Sequence, residues 1–387
     1  MMHKVLGVCV VVLMLTGLGR AEAPQLPSVE GLNASGLELV WHAQVSLDAQ
    51  RDAVQEMAFD GETLFLQTNR GLVQAIQESA ADRGAEVERT AYRRSRRRAG
   101  SNTIWINQIG KEGLISFRPA TNKTLLFVVN GSQLYAMDKK SGRLMWQFRL
   151  PNVPSAPLAA TETHVYLGFV DGSFRAYDIE KKAISWFAKT GETIGTAALP
   201  VGGMVAYASE NGILYLGDAV SRDLIFQFET DRPVSAALSS LRDEEGLWLF
   251  VASEDQTVFS IGIPRGRTRW QRSLGDAIYR PLVSRGEDLF VSPEGSGIHC
   301  LDVRDGQEKW NAKSARDVIA VGADRVYAHD KSHRLVTLDR SSGKVMGRID
   351  MRSYNRVVTN LHDSRIYLST RTGLVICLQE IQEAPSS

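Results

Sequence analysis

Five arginines fall within six residues, at Arg93, Arg94, Arg96, Arg97 and Arg98, the densest run of chemistry-bearing side chains in the sequence. Guanidinium forks match carboxylate and phosphate geometry, so the run reads as an anion-contacting surface for acidic lipid headgroups, lipopolysaccharide or an acidic protein face. Five like charges cannot be buried without partners, and a solvated loop with no role is the alternative reading. Nucleic acid is not expected as the anion, because only Tyr92 offers a stacking ring beside the run. Elsewhere the residues capable of chemistry are scattered. His329 and His333 share an i, i+4 spacing, but they flank an expected β-turn with no third ligand nearby. That reads as a solvated turn rather than a metal site. The pair Glu244-Glu245 reads as a solvated loop. No Gly-x-Ser-x-Gly, phosphate-binding Gly-rich loop or Cys-x-x-Cys occurs. No catalytic residue, metal ligand or cofactor is assigned.

The elements that must carry these residues are set by a repeat. Ala136-x-Asp138-x-x-x-Gly142-x-x-x-Trp146 places a small residue, a turn and an aromatic at fixed spacing. Ala176, Asp178 and Trp186 repeat it, as do Leu216, Asp218 and Phe226, then Ser260, Gly266 and Trp270. Cys300, Asp302, Gly306 and Trp310 follow, and then Thr337, Asp339, Gly343 and Gly347. From Ala136 to Cys377 the small positions are spaced 40, 40, 44, 40, 37 and 40 residues apart. A period near 40 built on β-runs means propeller blades. Asp and Gly sit where the chain must reverse, Asp bonding its own backbone and Gly tolerating positive φ. The aromatic falls on the outer strand, where one blade can pack onto the next. Trp41, Trp146, Trp186, Trp270 and Trp310 are therefore expected to be structural docking residues. Cys300 and Cys377 occupy the small slot of two different blades, so they read as buried small residues rather than a disulfide.

This unit resembles the tryptophan-docking repeat of the pyrroloquinoline-quinone (PQQ)-type propellers, which include quinoprotein dehydrogenases and the BamB-type lipoprotein of outer-membrane barrel assembly. The resemblance implies an all-β, eight-bladed propeller of four-stranded blades. A dehydrogenase of that family would need a vicinal Cys-Cys pair and a carboxylate–Asn set holding Ca²⁺. No adjacent cysteines exist in this sequence. The expected channel strands, 155–160, 195–200, 234–239 and 317–322, are small and mostly apolar, with no oxygen cluster for a hard cation.

Residues 1–23 read as a secretory signal, with Lys4, an apolar run Val5–Leu15 and a cleavage site at Ala21-Glu22-Ala23. Cys9 lies inside the apolar run, a poor setting for lipid attachment, so a soluble periplasmic or secreted protein is expected. Residues 24–36 read as a loose lead-in, 37–381 as one propeller and 382–387 as a tail. Leu37–Val45 reads as a Trp-bearing outer strand with no inner strands before it, whereas the C-terminal end supplies three strands and no fourth. The N-terminal strand is therefore expected to complete the last blade and close the ring. An insertion at 78–100 breaks the first blade and carries seven Arg against four acidic residues. The whole chain has a net charge of +1, so no global signal for nucleic acid or membrane exists.

The functional expectation is a non-enzymatic exported interaction scaffold, monomeric in itself. It would hold another envelope protein, such as an outer-membrane assembly component, through loops on one face. A degenerate quinoprotein dehydrogenase and a ligand- or polyanion-binding sensor module are the alternatives.

Overall fold

A computed structural model describes residues 26–48, 50–77, 103–360 and 363–381. The Arg93–Arg98 run and the 1–23 leader lie outside the described residues. Eight four-stranded antiparallel sheets form a ring, an eight-bladed β-propeller. Blade 1 comprises Val54–Phe59, Thr63–Thr68, Leu72–Gln77 and Thr103–Gln108, from the channel outward. Blades 2 to 7 follow in chain order, with innermost strands starting at Ala120, Ala159, Leu199, Ser239, Val283 and Ala315. Their outer strands end at Arg149, Lys189, Glu229, Ser273, Ala312 and Ile349. Blade 8 takes Arg356–Val358, Ile366–Ser369 and Leu374–Glu380, and its outer strand is Leu37–Gln44. The ring is thus closed by the N-terminal strand, paired antiparallel from Leu37↔Glu380 to Gln44↔Leu374.

The second and third strands of each blade are buried on both faces, as in the fully buried Thr63–Thr68 and His164–Gly168. Between them they supply most of the core, which runs as apolar clusters from each blade into its neighbour. The repeated small residue lies on the third strand, directly opposite the outer aromatic. Ala136 pairs with Trp146, Ala176 with Trp186, Ser260 with Trp270, Cys300 with Trp310 and Cys377 with Trp41. The small side chain leaves room for the ring that crosses it. Cys300 and Cys377 are both fully buried, and burial raises the Cys300 pKa.

The lead-in expected to be loose is ordered from residue 26 on. Val29–Ala34 forms a one-and-a-half-turn helix, α1, whose N-cap Ser28 accepts from the Gly31 amide at 3.1 Å. Leu32 is 1% exposed and packs with Leu37, Tyr327, Leu335 and Met351. The sequence signal was too short for helical periodicity, and the helix is held by tertiary burial rather than by its own length.

Antiparallel topology sorts the connections between the two ends of the ring. Loops joining second to third strands share one end with the links between blades. Loops joining first to second, and third to outer, strands lie at the other end. The stretch between Gln77 and Thr103 joins third to outer strand in blade 1, so it departs from this second end.

Candidate functional site

The blade junctions fix the geometry of everything else in the ring. The outer aromatic of one blade sits on the turn of the next. Trp310 donates its indole N–H to the Arg340 carbonyl at 2.8 Å, and its ring covers Gly343. Trp270 donates to the Val303 carbonyl at 2.9 Å over Gly306, where a Cβ would fall 2.7 Å from the ring. Trp105 donates to the Lys139 carbonyl at 2.8 Å over Gly142. Phe226 covers Gly266 without a polar anchor. The glycine therefore serves twice, adopting φ near +70° and leaving its Cα face bare for an aromatic plane. An aspartate braces the turn in blades 2, 3, 4, 6 and 7, while Gly262 holds that place in blade 5. Asp138 accepts from the Ser141 amide at 2.8 Å, and its own carbonyl takes the Gly142 amide at 2.8 Å.

Where the turn departs from the pattern, so does the docking. Trp146 meets a turn with Lys182 at φ 54° in place of glycine, and it is only half-buried. Trp186 is 7% exposed, but its indole N–H has no partner among the described residues. Trp41, 5% exposed, packs into the cluster shared by blades 8 and 1. Residues 78–102, which follow the third strand of blade 1, lie outside the described residues. Trp105, on the outer strand that resumes blade 1 after the insertion, pairs with Ala75 although 30 residues rather than ten separate them. Gly347, in the aromatic slot of blade 7, faces the end of α1. A Cβ there would fall 2.7 Å from Ser35 Oγ, and Thr337 Oγ1 donates to the Ser35 carbonyl at 3.2 Å. The N-terminal segment thus fills the place of the missing ring.

The central channel differs from its sequence expectation. Its lining position lies two residues before the innermost residue paired to the second strand, as fixed by Ala58↔Phe65, Ala120↔Phe127, Ala159↔Tyr166 and Val358↔Tyr367. Read around the ring, that position holds Glu56, Arg118, Pro157, Ala197, Ala237, Pro281, Val318 and Arg356. Blades 3 to 7 are small and apolar there, but blades 8, 1 and 2 place Arg356, Glu56 and Arg118 side by side. The expectation of a mostly apolar channel covered only blades 3, 4, 5 and 7, and missed this arc. Arg118 donates to the Thr359 carbonyl at 3.3 Å, and Arg356 to the Val54 and Asn355 carbonyls at 3.1 and 3.2 Å. Burial raises the Glu56 pKa, while the positive charges of Arg356 and Arg118 work against the rise. Burial also lowers the Arg118 pKa, against the pull of Glu56.

His329 is a further correction. It lies on the strand Arg325–Asp330 and is 7% exposed, not in a solvated turn. His333 is in the turn itself, with ring centroids 6.2 Å apart. Among the described residues no group of three or more His, Cys, Asp or Glu is placed to hold a metal ion. The loop carrying Glu244-Glu245 is tied down rather than free. Arg269 bridges Asp243 at 2.8 Å and Glu245 at 2.6 Å, and stacks over Trp248.

At the end of the ring shared by the blade links, blades 3 to 6 carry Glu192, Glu210, Asp231, Glu254, Asp255 and Asp276. None of these six makes an ion pair among the described residues, and Val153, Val170 and Tyr279 stand exposed beside them. No helix of the described residues is long and apolar enough to cross a membrane.

Comparison with known proteins agrees with this architecture. A family model described as outer membrane protein assembly factor BamB matches residues 94–225 and 210–375. The chain is 24% identical over 284 residues to outer membrane protein assembly factor BamB of Shewanella oneidensis, covering 66% of this chain and 68% of that protein. The crystal structure of BamB from Moraxella catarrhalis superposes with a TM-score of 0.69 at 14% identity, covering 90% of this chain and 99% of that one. The computationally designed Ika8 protein superposes at 0.67 with 11% identity over 87% of this chain and 99% of that one, which shows the fold alone. The family match spans well over half of the sequence and rests on the same repeated blades, so the chain belongs to the BamB-type family of PQQ-like propellers.

Proposed function

We propose that the protein is an exported, non-enzymatic scaffold that holds a component of outer-membrane protein assembly against one end of its ring. The observation that carries this reading is the acidic loop end over blades 3 to 6. Six carboxylates without ion-pair partners, interspersed with exposed Val153, Val170 and Tyr279, match a partner surface that is basic with apolar anchors. Rigid junctions support it, since a ring locked by docked aromatics presents its loops in fixed geometry. The family match supports the partner class. The test is affinity capture from the cell envelope with tagged protein, comparing wild type with Glu192→Lys/Glu210→Lys/Asp231→Lys. The triple variant is expected to fold normally and lose its outer-membrane assembly partner. Undiminished capture would remove the acidic loops from the interface.

A second contact is proposed for Arg93, Arg94, Arg96, Arg97 and Arg98. The chain leaves blade 1 at Gln77 and rejoins it at Thr103, at the end opposite the acidic loops. A partner on one end would leave the arginines directed to a different surface, of anionic lipid or lipopolysaccharide. Replacing all five by Ser should abolish binding to anionic vesicles at low salt and leave the thermal midpoint unchanged. Binding to those vesicles should also fall with salt, as the Debye length shrinks from about 10 Å at 0.1 M to about 3 Å at 1 M. Equal vesicle binding by both proteins at low salt would make the stretch a spacer. No PQQ-dependent oxidation of alcohols or sugars is expected with PQQ, Ca²⁺ and an artificial acceptor, and turnover would promote the dehydrogenase reading.

A further inference from the structure

The channel arc has an imbalance that the scaffold reading does not use. At the lining position, two guanidinium groups and one carboxylate stand beside five small or apolar residues, Pro157, Ala197, Ala237, Pro281 and Val318. Among the described residues neither Arg118 nor Arg356 comes within 4.0 Å of a carboxylate, and their hydrogen bonds go to neutral backbone carbonyls. The contrast with the neighbouring arginines is sharp. Arg280 is bridged to Asp317 at 2.5 Å and to Glu294 at 2.8 Å, and Arg316 reaches Glu294 at 3.5 Å. Those cations are neutralised by the fold, whereas the Arg118–Glu56–Arg356 arc keeps an excess positive charge. Enclosed charge without a close counter-ion is costly, and a bound anion offsets that cost.

We propose that this arc is a binding site for a short dicarboxylate. Arg356 donates to the Val54 and Asn355 carbonyls and Arg118 to the Thr359 carbonyl, and Asn355 and Thr359 flank the innermost strand of blade 8, Arg356–Val358. Four residues of extended backbone set the Asn355 and Thr359 anchors roughly 13 Å apart. One carboxylate of the ligand meets each fork, each forming the parallel N–H···O pairs that guanidinium prefers. Anchors that far apart keep both forks from closing on one phosphate, so the site favours two separated carboxylates. Glu56, between the two forks, opposes the ligand and sets its affinity.

The test is calorimetric titration of the mature protein with glutarate, succinate, acetate and inorganic phosphate at constant ionic strength. Glutarate or succinate should bind saturably with one site, and acetate and phosphate at least tenfold more weakly. Arg118→Gln and Arg356→Gln should each abolish binding, with circular dichroism confirming the fold. Glu56→Gln removes the opposing charge and should tighten binding by at least tenfold, so the proposal is testable even if an arginine variant misfolds. Equal binding of phosphate, or a Glu56→Gln protein indistinguishable from wild type, would overturn it. The envelope-partner reading stands or falls separately, because the triple loop variant leaves the channel intact.

Discussion

At the scale of single residues, the indole of Trp310 shows how a junction is made. It buries its ring on Gly343 and spends its N–H on the Arg340 carbonyl. Trp310→Ala should cost about 3–5 kcal/mol, the range for deleting a buried aromatic. Trp146→Ala should cost clearly less, because Trp146 is half-buried against a turn without glycine. Denaturant midpoints of the two variants measure the difference, and equal losses would deny the ring-on-glycine seat. Gly343→Ala tests the same seat from the other side. It forces a Cβ both into positive φ and into the indole, so it should destabilise by more than the roughly 1 kcal/mol that a compatible Gly→Ala change gains. His329 makes a pH-dependent contribution. Burial holds its pKa below 6.5, with His333 adding to the depression and Asp317 and Asp330 opposing it. As pH falls through 6.5 the unfolded chain takes up the proton first, so stability is lost on acidification. His329→Gln should flatten the decline of the urea midpoint between neutral pH and mildly acid pH, and an unchanged slope would exclude His329 as its source.

At the scale of elements, what could be read from the sequence depended on how regular the local pattern was. The third strand, turn and outer strand repeat with fixed spacing, so small residue, Asp, Gly and Trp were legible together. The glycine as a seat for a ring was not, because spacing shows the turn and not what lies across it. Innermost strands are as short as two residues in blades 2 and 3, too short for alternation to show. Glu56, Arg118 and Arg356 therefore looked unrelated until strand pairing put them in register. Aligning each against the aromatic of its second strand, Phe65, Phe127 and Tyr367, is the signal that would have found them. Helix α1 was illegible for the opposite reason, since its stability lies in the pocket it fills. Leu32→Ala should cost about 2–5 kcal/mol, and deleting residues 24–35 should cost more, by exposing Gly347 and its empty slot. A thermal midpoint unaffected by that deletion would mean that the segment does not close the junction.

At the scale of the whole molecule, closure and presentation are linked. Blade 8 is made from both chain ends, so removing Leu37–Gln44 should expose an unpaired edge along Leu374–Glu380 and give aggregation. A stable monomer after that deletion, by size-exclusion chromatography, would contradict closure by the N-terminal strand. The closed ring has two unlike ends, one with six carboxylates outside any ion pair among the described residues and the other where the chain leaves blade 1 at Gln77 and rejoins it at Thr103. The scaffold account assigns the assembly partner to the first. Site-specific photo-crosslinking in cells tests it most directly, with the reactive side chain placed at Val170 or Asp231 on the acidic end and at Lys140 on the opposite end. The account predicts covalent capture of an outer-membrane assembly protein from Val170 and Asp231 and none from Lys140. Capture from Lys140 alone, or from no position, would contradict it.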